Sequence, residues 1–207
     1  MGKSMKENLE KIKLLARDLR DGKEFPRSPR ETLAGYVLPS INGKVAIVTG
    51  ASNGIGRAIA ERLTQDGAMV IVNYGKSADK AKAVVALIES KGGKAVAIQT
   101  DMSKVSDVRR LVRETVQRFG RLDILVNNAG MFMSKPLVDT AEEEYDRLFA
   151  LNAKGVYFAM QEGAKMIEEG GRIVNISTDG TPYGLLRRDD LSGEQRHPGT
   201  VYEGAGA

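Results

Sequence analysis

Cysteine is absent from the 207-residue sequence. This excludes disulfides, thiolate catalysis and cysteine-ligated zinc, and makes a reducing cytoplasm the expected setting. No apolar run approaches the roughly 20 residues that a membrane span needs. Met1–Arg20 is charged throughout and lacks the apolar centre of a secretory signal. The single histidine, His197, sits in a polar stretch before Pro198 with no convergent ligands in view, so it reads as a solvated loop residue. Repeats and low-complexity tracts are also missing. The formal net charge is +4, and its location matters more than its size. Residues 1–44 carry ten Lys and Arg against six Asp and Glu, while the rest of the chain is balanced. A neutral body lacks the basic stripe that a nucleic-acid partner requires.

What is present divides into two parts. In residues 1–41, Leu9, Ile12, Ala16 and Leu19 share one face of a helix predicted over 4–20. That face suits packing on the body or on a partner subunit. Glu7, Glu10 and Asp18 interrupt the basic side and speak against a membrane surface. Pro26, Pro29 and Pro39 then mark a linker. From residue 42 to 207 the pattern is that of one domain. Short β-branched runs at Val45–Val48, Met69–Val72, Ala95–Ile98, Ile124–Val126 and Ile173–Ile176 alternate with helical stretches near 55–66, 77–91, 105–119 and 141–169. Strands that are apolar throughout are buried on both faces, as in a parallel sheet. Helical crossovers between them predict an α/β fold, a Rossmann-type doubly wound parallel sheet.

The first run leads into Thr49-Gly50-Ala51-Ser52-Asn53-Gly54-Ile55-Gly56, with a helix beginning near Ile55. Such a segment must turn tightly and let a pyrophosphate approach the backbone. Gly50 supplies the turn, Gly54 clears the phosphate path, and Gly56 lets helix and strand pack closely. Ser52, Asn53 and Ile55 contribute backbone to the same cradle, where the free N–H groups of the helix start attract phosphate. About 20 residues on, an NAD site would place an acid on the ribose hydroxyl. Here the second run ends in Asn73-Tyr74-Gly75-Lys76-Ser77. Neutral Asn73 does not repel a 2′-phosphate, and Lys76 and Ser77 offer it donors, which favours NADP(H) over NAD(H). The alternative is that Lys76 is only solvated and Asn73 caps the turn.

Asn127-Asn128-Ala129-Gly130 closes the fourth run. With the glycine segment, Asp101-Met102, Asn152 in Leu151-Asn152-Ala153-Lys154-Gly155, and Gly171-Arg172-Ile173-Val174-Asn175-Ile176-Ser177, the sequence resembles the short-chain dehydrogenase/reductase family over residues 42–178. The resemblance implies hydride transfer between a nicotinamide and a carbonyl or secondary alcohol of a small-molecule substrate, with a homo-oligomer possible although its interface helices would be incomplete. It implies that Asp101 contacts the adenine with help from the backbone at Met102. Asn128 and Gly130 would shape the strand end against the adenosine ribose. Asn152 would hold a water in a proton relay, or brace its helix against a strand. Thr178 would hydrogen-bond the substrate carbonyl, and Tyr202 would exchange the proton.

The pattern departs from the family toward the C-terminus. The family's Tyr is followed four residues later by a Lys that lowers its pKa. Four residues after Tyr202 stands Gly206, and no Lys follows Lys165. The 24-residue spacing from Thr178 to Tyr202 is longer than the family's, with Arg187 to Pro198 reading as a loop insertion, and Tyr183 lies too close to Thr178 to substitute. Without the Lys, Tyr202 is expected to keep its unperturbed pKa of about 10, and loss of a tuned acid/base costs on the order of 10²–10⁴ in rate. The family continues past the position of Ala207 into a helix, two strands and a substrate loop, so the chain is expected to be C-terminally incomplete, a fragment or a decayed homologue. The fifth strand would then be an exposed edge. A non-catalytic dinucleotide-binding module is the alternative function.

Overall fold

The computed structural model describes residues 40–133 and 137–177. The leader helix and linker, Thr178, Tyr183, His197, Tyr202 and Gly206 lie outside the described residues.

Five strands, β1 (Val45–Val48), β2 (Met69–Tyr74), β3 (Lys94–Gln99), β4 (Ile124–Asn127) and β5 (Arg172–Asn175), form one parallel sheet in the order β3-β2-β1-β4-β5. Helices α1 (Gly54–Gln65), α2 (Ala78–Ser90) and α3 (Val105–Phe119) make the first crossovers. All four residues of β1 are buried because both faces of the sheet are covered. Ala46, Val48, Val70 and Val72 pack with Ala60, Ala81, Val84 and Ile88 of α1 and α2. Val45, Ile47, Ile71 and Leu125 pack on the other face with Val108, Leu111 and Val112 of α3. The α3 stripe repeats at helical spacing through Thr115, and the helix stops where Gly120 takes a left-handed conformation, φ 76°, and donates its N–H to Val116 O at 2.8 Å. Full burial of side chains such as Ile47 and Ile71 contributes about 1.5–3 kcal/mol each, which makes this two-sided core the main source of stability.

The stretch 141–169 differs from the single helix its apolar spacing predicts. It forms α4 (Glu142–Phe149), a π-helical turn at Ala150–Gly155, and α5 (Val156–Met166). Its end is set by Ile167, which is extended, and by Glu168, whose N–H reaches Leu122 O at 2.8 Å. The break coincides with close backbone packing. A Cβ on Gly155 would collide with the carbonyl of Met102, and one on Gly163 would lie 2.8 Å from the Leu125 side chain. Periodicity records which residues are apolar, but not such contacts with distant loops. Among the described residues β5 pairs with β4 alone and is largely exposed, Val174 at 44%. No described helix is long and apolar enough to cross a membrane.

At the N-terminal edge of the sheet, Asp123 joins β1 to β4. Its buried carboxylate accepts bonds from Val45 N–H at 2.9 Å, Lys44 Nζ at 3.0 Å and Arg121 at 2.6 and 2.7 Å. Burial alone would raise its pKa; these donors outweigh it and hold the carboxyl at about 2, below its ordinary 3.8. A depressed pKa contributes stability that is complete above the unfolded value and lost as pH falls through the folded one. The shift corresponds to about 2 kcal/mol. Denaturant titrations between pH 7 and pH 2 should therefore find Asp123→Asn less stable by about that amount at neutral pH, with a flatter acid limb. Equal acid limbs in the two proteins would contradict this account.

Candidate functional site

Strand order reverses on either side of β1, so the crossovers leaving β1 and β4 diverge and open a crevice at the strands' C-terminal ends. The chain leaves β1 through Gly50 at φ 64°, and a Cβ there would lie 2.9 Å from Ala129 Cα. Only glycine meets both demands. Three polar side chains fix this turn. Thr49 Oγ1 accepts the N–H groups of Asn128 and Ala129, each at 2.9 Å. Asn128 Nδ2 donates to Thr49 O at 2.9 Å and Gly50 O at 3.3 Å. Asn73 Oδ1 accepts from Gly50 N–H at 3.2 Å, while its Nδ2 donates to Ile98 O at 3.2 Å and Thr100 Oγ1 at 2.5 Å. Asn73 is 1% exposed. It borders the cleft but its amide is engaged with the protein, closer to the turn-capping alternative than to a direct cofactor contact.

The cleft above these strand ends has a volume of about 950 Å³. Gly50, Ser52, Asn53, Gly54, Ile55, Gly56, Asn73, Lys76, Asp101, Met102, Asn128 and Gly130 all line it, so the structure brings together nearly every residue expected to bind the cofactor. Ser77 does not line it and instead sits at the N-cap of α2. The Asn53 side chain makes no capping hydrogen bond at the start of α1, which leaves the N–H groups of that helix end available to an anion. Asp101 accepts from Ser103 Oγ at 2.6 Å and Ser103 N–H at 3.0 Å. These bonds, with Lys104 and Lys76 nearby, hold its carboxyl below the usual range despite partial burial. The sequence reading missed Thr100, Arg110, Arg147 and Leu151, which also line the cleft. Leu151 opens the Asn152 motif but had no role assigned there; Thr100 directly follows β3, and Arg110 and Arg147 lie outside every motif, brought to the cleft by α3 and α4.

Asn152 lies in the π-helical turn. Its Oδ1 accepts from Met131 N–H at 2.9 Å and its Nδ2 donates to Met131 O at 2.7 Å. The amide therefore braces the loop after β4, a loop and not the strand anticipated by the bracing alternative. Among the described residues no group of His, Cys, Asp or Glu could hold a metal ion.

A parallel sheet with a glycine turn at its switch point defines a dinucleotide-binding Rossmann-type domain. A sequence model described as short chain dehydrogenase matches residues 44–187. The chain belongs to this family. It is 50% identical over 141 residues to an uncharacterised oxidoreductase of Methylorubrum extorquens, covering 68% of this chain and 57% of that one. With elsinochrome reductase 1 of Elsinoe fawcettii it shares 43% identity, covering 74% and 58%. A crystal structure of a short chain dehydrogenase from Burkholderia cenocepacia in complex with NADP superposes with a TM-score of 0.70 at 43% identity, covering 74% of this chain and 63% of that one. The chain thus spans between half and two thirds of the length of these relatives.

A Cβ on Gly56 would clash with Asn128 Nδ2 and lie 2.7 Å from Gly50 O. Gly56→Ala is expected to destabilise the fold by about 1–3 kcal/mol through overpacking and to open the turn. Gly75→Ala, which meets nothing within 4 Å, should stay within about 0.5 kcal/mol of the parent. Thermal or denaturant unfolding of the two variants checks the contrast.

Proposed function

We propose that the protein is an NADP(H)-dependent oxidoreductase that transfers hydride between the nicotinamide and a carbonyl or secondary alcohol. The observation that carries the cofactor reading is the acid-free end of β2. Asn73 is neutral and turned inward, and Lys76 is exposed at the cleft wall with no ion pair among the described residues. An acid there would repel a 2′-phosphate; a lysine attracts it. The residues present fit the dinucleotide in shape as well. Side-chain-free backbone at Gly50 and Gly56 leads to the uncapped start of α1, which suits a pyrophosphate. Asp101 and Met102 lie where the adenine would rest, and Asn128 and Gly130 border the adenosine ribose. The Burkholderia relative is a complex with NADP, which supports NADP(H) as the cofactor. Bound NADP(H) supplies the hydride chemistry.

The chain's own part in the reaction follows the family pattern. Thr178 would donate its hydroxyl to the substrate carbonyl, Tyr202 would exchange the proton at the carbonyl oxygen, and Asn152 would hold a relay water with whatever bonding its Met131 clasp leaves open. A homo-oligomer is in keeping with the exposed rings of Tyr145, Phe149 and Tyr157 on α4 and α5, and a cytoplasmic setting with the cysteine-free composition. The second reading, a dinucleotide-binding module without turnover, is favoured by Gly206, which stands where the family has its Lys.

Fluorescence titration with NADPH and NADH, followed by carbonyl-reduction assays, tests both. The expected result is tighter binding of NADPH, and turnover that rises on Gly206→Lys by up to about 10²-fold as the tyrosine becomes a tuned acid. Binding without turnover in either form would leave the module. Tighter NADH binding would overturn the roles of Asn73 and Lys76.

A further inference from the structure

Among the described residues the arginines are almost all engaged. Arg57 pairs with Glu61, Arg62 with Asp66, Arg110 and Arg118 with Glu114, Arg113 with Glu162, and Arg121 with Asp123. Arg109 lies over the Phe158 ring, and Arg172 donates to the carbonyls of Gly170 and Gly171. Among the described residues Arg147 alone has no such partner, although Glu143 stands four residues before it on the same helix and Asp146 beside it. An intrahelical ion pair is readily available to an exposed arginine at that spacing, and this one does not form it.

Arg147 lines the dinucleotide cleft instead. Leu151, one helical turn further on, lines the same wall. Other parts of the lining come from the loop after β3, Asp101 to Lys104, where Met102 is 6% exposed. The wall thus offers an apolar residue, Leu151, and a planar cation whose hydrogen-bonding edge is uncommitted. A flat purine between apolar side chains leaves a π face or edge toward solvent, and a guanidinium is the side chain that covers such a surface by stacking.

Resting on the NADP(H) reading, we propose that Arg147 is a cofactor-binding residue that closes over the adenine ring of the dinucleotide, together with Leu151. Its contribution is to the base and not to the 2′-phosphate, which falls to Lys76 at the end of β2. The two cations then have separable signatures. Loss of Arg147 weakens every adenine dinucleotide alike, whereas loss of Lys76 weakens only the phosphorylated one.

The test is fluorescence titration of the full chain and of Arg147→Ala, Arg147→Lys and Lys76→Ala with NADPH and with NADH. Arg147→Ala is expected to raise both dissociation constants by the same factor, roughly fivefold, and to leave the melting temperature unchanged because no protein contact is lost. Arg147→Lys should recover less than half of the loss, since an ammonium cannot stack as a plane. Lys76→Ala should affect NADPH alone. A loss confined to NADPH in Arg147→Ala would assign the residue to the phosphate and overturn the proposal, as would unchanged binding or full recovery by lysine. Absence of NADPH binding in the parent chain would remove the cofactor reading and this inference together. Failure in the Arg147 variants alone leaves the cofactor reading standing.

Discussion

Where β1 ends, two strands that are neighbours in the sheet but nearly 80 residues apart in the chain are fastened by side chains reaching across the gap. Thr49 takes two backbone N–H groups from the end of β4, and Asn128 returns two bonds to the carbonyls of Thr49 and Gly50. Asn73 adds a third strand by holding Gly50 N–H from the end of β2. Parallel strands finish with backbone groups that the ladder no longer satisfies, and buried groups of that kind must find partners. Here the partners are side chains, which frees the turn to run close to Ala129 and to point the start of α1 at the crevice. The cleft, the open helix end and the placement of Gly130 all depend on that fastening.

At the opposite edge Asp123 performs a similar join between β1 and β4, using charge in place of neutral amides. The difference follows from what each edge faces. A carboxylate surrounded by Lys44, Arg121 and a backbone N–H has every lone pair satisfied and its burial cost offset. At the edge proposed to take the phosphates a fixed negative charge would oppose the ligand, and the fastening residues Thr49, Asn73 and Asn128 are neutral.

The π-helical turn at Ala150–Gly155 links both ends of the cleft. Leu151 lines the wall, Asn152 grips both backbone groups of Met131, and Gly155 sits against the Met102 carbonyl. Widening a helix by one residue per turn re-aims the side chains that follow it, and such bulges are frequent at functional sites. Here the widening lets one short segment touch the loop after β3 and the loop after β4 together.

The strands, the order of βα units and the glycine cradle were legible in the order of residues along the chain. β1 falls at Val45–Val48 as its apolar run indicates, and α3 at Val105–Phe119. The reason is physical: two-sided burial requires uninterrupted apolar runs, and a tight turn beside a phosphate path requires glycine. Those demands are local and leave a mark on consecutive residues. Tertiary structure alone decided that Asn73 turns inward to Gly50 and Thr100, that the helix over 141–169 breaks around Gly155, that Asn152 clasps Met131, and that Arg147 reaches the cleft. Each of these depends on a partner brought near by the packing of the sheet and its helices. A polar residue's spacing along the chain carries no record of which distant backbone group will satisfy it.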